Sequence, residues 1–147
     1  MPLKKVKPTT SARRQWTIAD FSELTKKRPE KRLSRGKQRI SGRDSAGRIA
    51  IRHRGGGHKK LWRDIDFRQI DKLNIPATVL SLEYDPNRTA RIALLQYDDG
   101  EKRYVLAPQD LKVGDQVVAG ERTKVKVGNR MQMQYIPVGY KIFNIEL

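Results

Sequence analysis

Nine consecutive residues, Arg52-His53-Arg54-Gly55-Gly56-Gly57-His58-Lys59-Lys60, combine four Arg or Lys side chains, two imidazoles and three glycines, with no apolar side chain among them. Such a run has little means of folding on itself. Three adjacent glycines are costly to order, because glycine loses more backbone freedom on folding than any other residue. The chemistry the run suits is polyanion binding. Arg and Lys neutralise phosphates, and glycine amides approach a sugar–phosphate chain closely because no Cβ intervenes. The bland alternative is a solvated basic linker. Gly followed directly by a cation recurs upstream, in Ser41-Gly42-Arg43 and Ala46-Gly47-Arg48. Between Arg35 and Arg63 stand ten Lys or Arg, one acid (Asp44) and six glycines. A loop of this composition lets each Arg reach a phosphate or a base edge while the backbone stays close.

No catalytic set assembles beside this binding chemistry. His53 and His58 flank the glycines with no carboxylate or hydroxyl nearby in sequence to orient them, and no phosphate-loop or metal-ligand spacing is present. Asp64 and Asp66 share one face of a strand; solvation, or pairing with Arg63 and Arg68, explains them better than cation binding. The chain has no cysteine, which excludes disulfides, thiolate catalysis and Cys-based zinc sites. No apolar run approaches a membrane span. The expectation is a non-enzyme without cofactor, metal or membrane association.

The elements that position these residues divide by charge. The 147-residue chain has a formal net charge of +16. Residues 1–63 hold 20 Lys/Arg and 4 Asp/Glu, whereas residues 64–147 hold 12 of each. All the excess charge therefore precedes residue 64. Apolar periodicity dominates after it. The expected organisation is an extended basic arm over residues 1–60 and a β-barrel domain over residues 61–147. Within the arm, Ile18, Phe21 and Leu24 fit one helical turn near Asp20. The stretch Lys26 to Lys37 is nearly all charge and predicts no stable fold without a partner.

From Leu61 onward the pattern is that of strands. Leu61, Ile65 and Phe67 share a face at period two. Strands are expected over Ile75–Tyr84, Arg91–Tyr97, Lys102–Ala107, Gln116–Ala119, Val125–Gly128 and Tyr140–Ile145. Thr78, Leu80, Leu82 and Tyr84 alternate to one side of the first of these. Asp98-Asp99-Gly100 is a hairpin turn, since Gly accepts positive φ. Asp85-Pro86-Asn87-Arg88 is a second turn. The fold class is mainly β: a small antiparallel β-barrel, OB-fold-like, preceded by the extended basic arm, with an SH3-like barrel as the second choice.

Arg88 stands on the corner of the Pro-containing turn. It either presents a preorganised fork to phosphate or guanine, or pairs with Asp85 or Glu83. Lys102 and Arg103 follow the hairpin, and one of them faces outward. Arg63 and Arg91, at the edges of strand segments, join the candidate set. Tyr84, Tyr97 and Tyr104 suit either base stacking or the core, the core being the commoner use.

Several blocks carry a family resemblance. KPTTSARR (Lys7 to Arg14), SGRDSAGRIAIRHRGGGHKK (Ser41 to Lys60), DIDF (Asp64 to Phe67), EYDPNRTARIALLQYDDGEKRYVLAP (Glu83 to Pro108), IPVG (Ile136 to Gly139) and FNIE (Phe143 to Glu146) occur in that order. Together they resemble the N-terminal half of the bacterial-type large-subunit ribosomal protein two family. The resemblance implies an arm followed by an oligonucleotide-binding barrel that binds large-subunit rRNA. It implies a structural place in the large ribosomal subunit, supporting subunit assembly, subunit association and the peptidyl-transferase region, whose catalyst is RNA. The ribosome would be that of the bacterial cytoplasm, a mitochondrion or a plastid. Carried over by motif, the RNA-facing residues are Arg13, Arg14, Arg43, Arg48, Arg52, Arg54, Gly55, Gly56, Gly57, His58, Lys59 and Arg88. Family members usually continue past FNIE into a second, SH3-like barrel, whereas this sequence ends at Leu147. Partners implied are other ribosomal proteins; the C-terminal half is expected either on a separate chain or missing because this polypeptide is a truncated or fragment product. Phe143 and Tyr140, where many members have His and a small residue, add apolar surface for such a chain. The alternative function is a free single-strand nucleic-acid chaperone or regulator using the same barrel.

Overall fold

The computed structural model describes residues 3–25, 28–37 and 41–146; Lys26, Lys27 and residues 38–40, part of the charged stretch of the arm and its end, fall outside the described residues. Among those described there is no α-helix, only short strands and single 3-10 turns. Two small ribbons precede the main sheet. Strand β1 (Leu3–Lys5) pairs antiparallel with β2 (Thr17–Ala19), and β3 (Ser34–Gly36) pairs antiparallel with β4 (Leu61–Arg63). The main sheet contains β5 (Ala77–Glu83), β6 (Ile92–Tyr97), β7 (Lys102–Leu106) and β8 (Gln116–Val117), all antiparallel, in the order β7-β6-β5-β8.

The hairpin signal at Asp98-Asp99-Gly100 joins β6 to β7, with Gly100 at φ +84°. Every residue from Ile92 to Leu95 in β6 is buried, so this central strand is covered on both faces. Ala93, Leu95 and Tyr97 join Ala77, Val79, Val105, Leu111 and Val117 in one core. Ile92 and Leu94 join Tyr104 in a second, closed off by Leu33 and Ile65. Burying an aliphatic side chain of this size stabilises by about 1.5–3 kcal/mol.

Strand β5 serves both cores because its register shifts. Val79 opposes Leu95, but Ser81 opposes Leu94, so Leu80 is a bulged residue and is exposed. Ala77, Val79 and Leu82 therefore face the first core, whereas Ser81 and Glu83 are buried opposite Leu94 and Ile92 of the second. Simple alternation of Thr78, Leu80, Leu82 and Tyr84 onto one side does not hold across the bulge. A bulge also increases local twist, which suits a curled sheet. Parallel bridges extend the sheet at both edges: Ile65 beside Tyr104, and Leu73 and Arg130 beside Ala119. The result is a curled antiparallel half-barrel, the architecture of a small OB-fold-like barrel.

Three local expectations differ from the structure. Residues 125–128 form a turn rather than a strand: Gly128 has φ +90°, and a Cβ there would meet Val117 Cγ1 at 2.6 Å and Leu111 Cδ1 at 3.1 Å. The backbone thus closes directly over the first core. Residues 140–145 are not a strand either; Asn144 takes φ +54° and donates its side-chain amide to the Phe67 carbonyl at 3.0 Å. Ile18 lies in β2, while the turn at Asp20 is built by the Asp20 carboxylate accepting from the Ser22 amide and hydroxyl.

The charged stretch, expected to have no structure of its own, is placed by the domain. A 3-10 turn over Lys31–Leu33 inserts Leu33 against the second core, and the Leu33 carbonyl accepts from the Asp64 amide at 2.8 Å. Upstream, Thr25 occupies the β5 edge beyond the reach of β8. Its amide donates to the Leu82 carbonyl at 3.1 Å, and its hydroxyl oxygen accepts from the Leu82 amide at 2.9 Å.

Candidate nucleic-acid interface

Every residue from Arg43 to Trp62 is exposed, so no core orders this segment. Its shape comes from the backbone. Arg43 bridges Ile49, the Asp44 amide donates to the Arg48 carbonyl at 3.0 Å, and the Asp44 carboxylate accepts from the Arg48 amide at 2.7 Å. The single acid of this region is thereby used to shape the loop that carries Arg43 and Arg48. Gly42, at φ +65°, is buried at its base, and its carbonyl accepts from the Ala50 and Ile51 amides. A Cβ at Gly42 would run into the Ile51 carbonyl oxygen and lie 2.9 Å from Arg54 Cβ.

The glycine run follows. His53, Gly55, Gly56 and Gly57 all have positive φ, between 58° and 109°. Glycine adopts that region at no steric cost. Arg52, Arg54, Lys59 and Lys60 project from it into solvent, and His58 Nδ1 lies 2.9 Å from the Lys59 carbonyl oxygen.

The Asp85-Pro86-Asn87-Arg88 turn sits beside the exit of this loop. Asn87 donates its side-chain amide to the Leu61 carbonyl at 2.7 Å, one residue after Lys60. Both readings of Arg88 have a counterpart in its geometry. Its Nε donates to Asp85 Oδ2 at 2.6 Å, its guanidinium lies 5.6 Å from the Phe67 ring centroid, and among the described residues its terminal amino groups make no hydrogen bond. Asp85 is fully buried. Burial pushes its carboxyl up, but hydrogen bonds from the Asn87 amide, the Arg88 guanidinium and the Asn87 side chain together outweigh that and hold it below the usual range. Arg88 is thus anchored by one edge of its fork to Asp85 and packed over Phe67, half-buried.

The remaining cations fall into two groups. Arg13, Arg14 and Lys102 are exposed, Arg13 lying 5.9 Å from the Trp16 ring centroid. Arg63, Arg91 and Arg103 are committed to intramolecular contacts. Arg63 is 7 % exposed and donates to the Leu61 carbonyl at 2.8 Å. Arg91 donates to the Asp20 carbonyl at 2.8 Å and packs against the rings of both Phe21 and Tyr84, which meet edge to face. Arg103 pairs with Glu101 at 2.9 Å and Asp66 at 2.6 Å, which raise its pKa. Of the pair after the hairpin, Lys102 faces outward.

Of the three tyrosines, Tyr97 and Tyr104 are buried in the cores and Tyr84 is exposed against Phe21. Asp64 pairs with Arg35 at 3.5 Å, and Asp66 with Arg103 rather than with Arg63 or Arg68. Two residues beyond the candidate set stand at the same surface: Trp62, and Lys37, whose Nζ lies 5.4 Å from the Trp62 ring centroid. An exposed tryptophan beside a basic run was the available signal for them. Among the described residues no helix is long and apolar enough to cross a membrane.

Comparison with known families matches residues 30–119 to Ribosomal Proteins L2, RNA binding N-terminal domain. The matched span begins where Glu30 meets the sheet, takes in the whole glycine-rich loop, and ends at Ala119 beyond β8.

Proposed function

The chain belongs to the ribosomal protein L2 family through that family's RNA-binding N-terminal domain, and we propose that it is a structural constituent of the large ribosomal subunit, binding large-subunit rRNA and supporting subunit assembly, subunit association and the peptidyl-transferase region. The observation that supports this best is the uninterrupted exposure of residues 43–62. Six Lys or Arg and one acid occupy residues 43–60, and that acid's carboxylate accepts from the Arg48 amide within its own loop. A surface of this kind neutralises phosphates, and glycine, with no Cβ, lets its backbone approach them closely.

In this reading residues 1–60 are the arm and residues 61–147 the barrel that anchors it. Direct contacts come from Arg13, Arg14, Arg43, Arg48, Arg52, His53, Arg54, the three glycines, His58, Lys59, Lys60, Arg88 and Lys102. Arg63, Arg91 and Arg103 contribute by shaping the barrel beneath. The role is binding and positioning; no bond is made or broken by the chain. Co-sedimentation with large ribosomal subunits tests it. Retention through a high-salt wash is expected. Full release at moderate salt, with equal affinity for any single strand, would instead indicate a free nucleic-acid chaperone.

A further inference from the structure

We propose that Trp16 and Trp62, the two tryptophans of this chain, are stacking platforms for unpaired nucleobases; the inference rests on the RNA-binding reading and adds a preference for single-stranded segments. Tryptophan is a side chain that folding normally buries. Here Trp16 is 54 % exposed and Trp62 is 43 % exposed, and neither belongs to either core. Both are held on ribbons rather than on free loops. The Trp16 carbonyl accepts from the Val6 amide beside the β1–β2 pair, and Trp62 lies in β4 directly opposite Arg35.

Each ring has a cation over it, Arg13 at 5.9 Å for Trp16 and Lys37 at 5.4 Å for Trp62. Trp16 also lines an open depression with Lys4, Lys5 and Lys7, and Trp62 follows Lys59 and Lys60 in sequence. A fixed aromatic face surrounded by positive charge is the pairing that single-strand binders use: the ring takes a base and the cations follow its phosphates. A duplex hides its base faces inside the stack, so these platforms engage bulges, loops and strand ends.

Intrinsic fluorescence isolates each ring, because Trp16→Phe leaves Trp62 as the sole reporter and Trp62→Phe leaves Trp16. Each variant is titrated, at low salt, with a single-stranded RNA oligonucleotide and with a blunt, fully paired RNA duplex of equal length. The expected result is quenching of both reporters by the single strand and little by the duplex. Trp62→Ala and Trp16→Ala each weaken single-strand affinity by roughly 5- to 150-fold, and the Phe variants retain most of it. Binding with unchanged emission, equal quenching by the duplex, or Ala variants that bind as tightly as the parent would overturn the stacking role while leaving RNA binding intact. No binding of either RNA would overturn the RNA-binding reading itself.

Discussion

Tyr104 and Glu83 are joined inside the second core by a 2.7 Å hydrogen bond from the phenol hydroxyl to Oε2. The same hydroxyl oxygen accepts from the Glu30 amide at 2.8 Å. One phenol therefore links β5, β7 and the segment that inserts Leu33. Tyr104→Phe keeps the ring and removes both hydrogen bonds, at a cost of about 1–3 kcal/mol. Urea unfolding should show that loss. Hydrogen exchange should show the Glu30 and Leu33 amides losing protection before the β6 amides. Uniform loss across the sheet would mean that the phenol supports the barrel alone.

Acid and alkaline limits of stability follow from ionisable groups held by native partners or by burial. Asp85 is held below its ordinary value of 3.8, as is Asp99, chiefly by Lys72, and Glu101 is held below 4.5 by Arg103 and Lys72. A depressed folded-state pKa gives stability that is fully present above the unfolded value and is lost as pH falls through the folded one. Unfolding midpoints should hold down to the ordinary carboxylate range and decline below it. Asp85→Asn should lower stability at neutral pH and flatten part of that acid decline. Burial raises Tyr97 and Tyr104 above the ordinary 10.0. Their contribution is present below that value and lost as pH rises through the raised one. In a spectrophotometric titration these two phenols should ionise only together with unfolding.

Much of the barrel was legible because turn chemistry and alternation agree there. Gly100 at positive φ and the Pro86 corner fixed two connections, and β6 and β7 fall where periodicity put them. The bulge at Leu80 was not legible: its cause is that β5 must face two cores, which is a property of the packed sheet. Nor was the placement of residues 30–36, where a lone Leu33 among cations supplies the anchor. Exposed cations of the candidate interface were visible as a class. Which Arg turn inward was not, because Arg91 is selected by Phe21 and Tyr84, remote from its turn in one case.

Gly42 and Gly56 separate shape from flexibility in the basic loop. Both have positive φ, +65° and +69°, but only Gly42 has backbone packed where a Cβ would go. Gly42→Ala must displace the Ile51 carbonyl and with it the base of the loop. Gly56→Ala meets open space and bears only the left-handed backbone cost, about 1–2 kcal/mol. Filter binding with a large-subunit rRNA fragment should show roughly a tenfold or greater loss for Gly42→Ala, by analogy with losing two or more charge-assisted contacts, and a smaller loss for Gly56→Ala. Thermal unfolding of the barrel should be unchanged in both. Equal losses would mean that glycine freedom, rather than loop shape, matters at this surface.

Salt dependence distinguishes the free cations from the anchored one. An interface of about ten phosphates predicts that log affinity falls against log salt with a slope of magnitude roughly seven to nine. Lys59→Ala and Lys60→Ala should each reduce that slope by about one and weaken binding to all RNAs alike. Arg88 is different, because Asp85 fixes one edge of its guanidinium at 2.6 Å and, among the described residues, its outer amino groups make no hydrogen bond. Arg88→Ala should cost about 1–3 kcal/mol against the cognate fragment and much less against unrelated RNA, so that specificity falls along with affinity. Arg88→Lys should not restore it, since a point charge cannot bond Asp85 and a ligand with two edges of one plane. Rescue by Lys would show that charge alone acts at this corner.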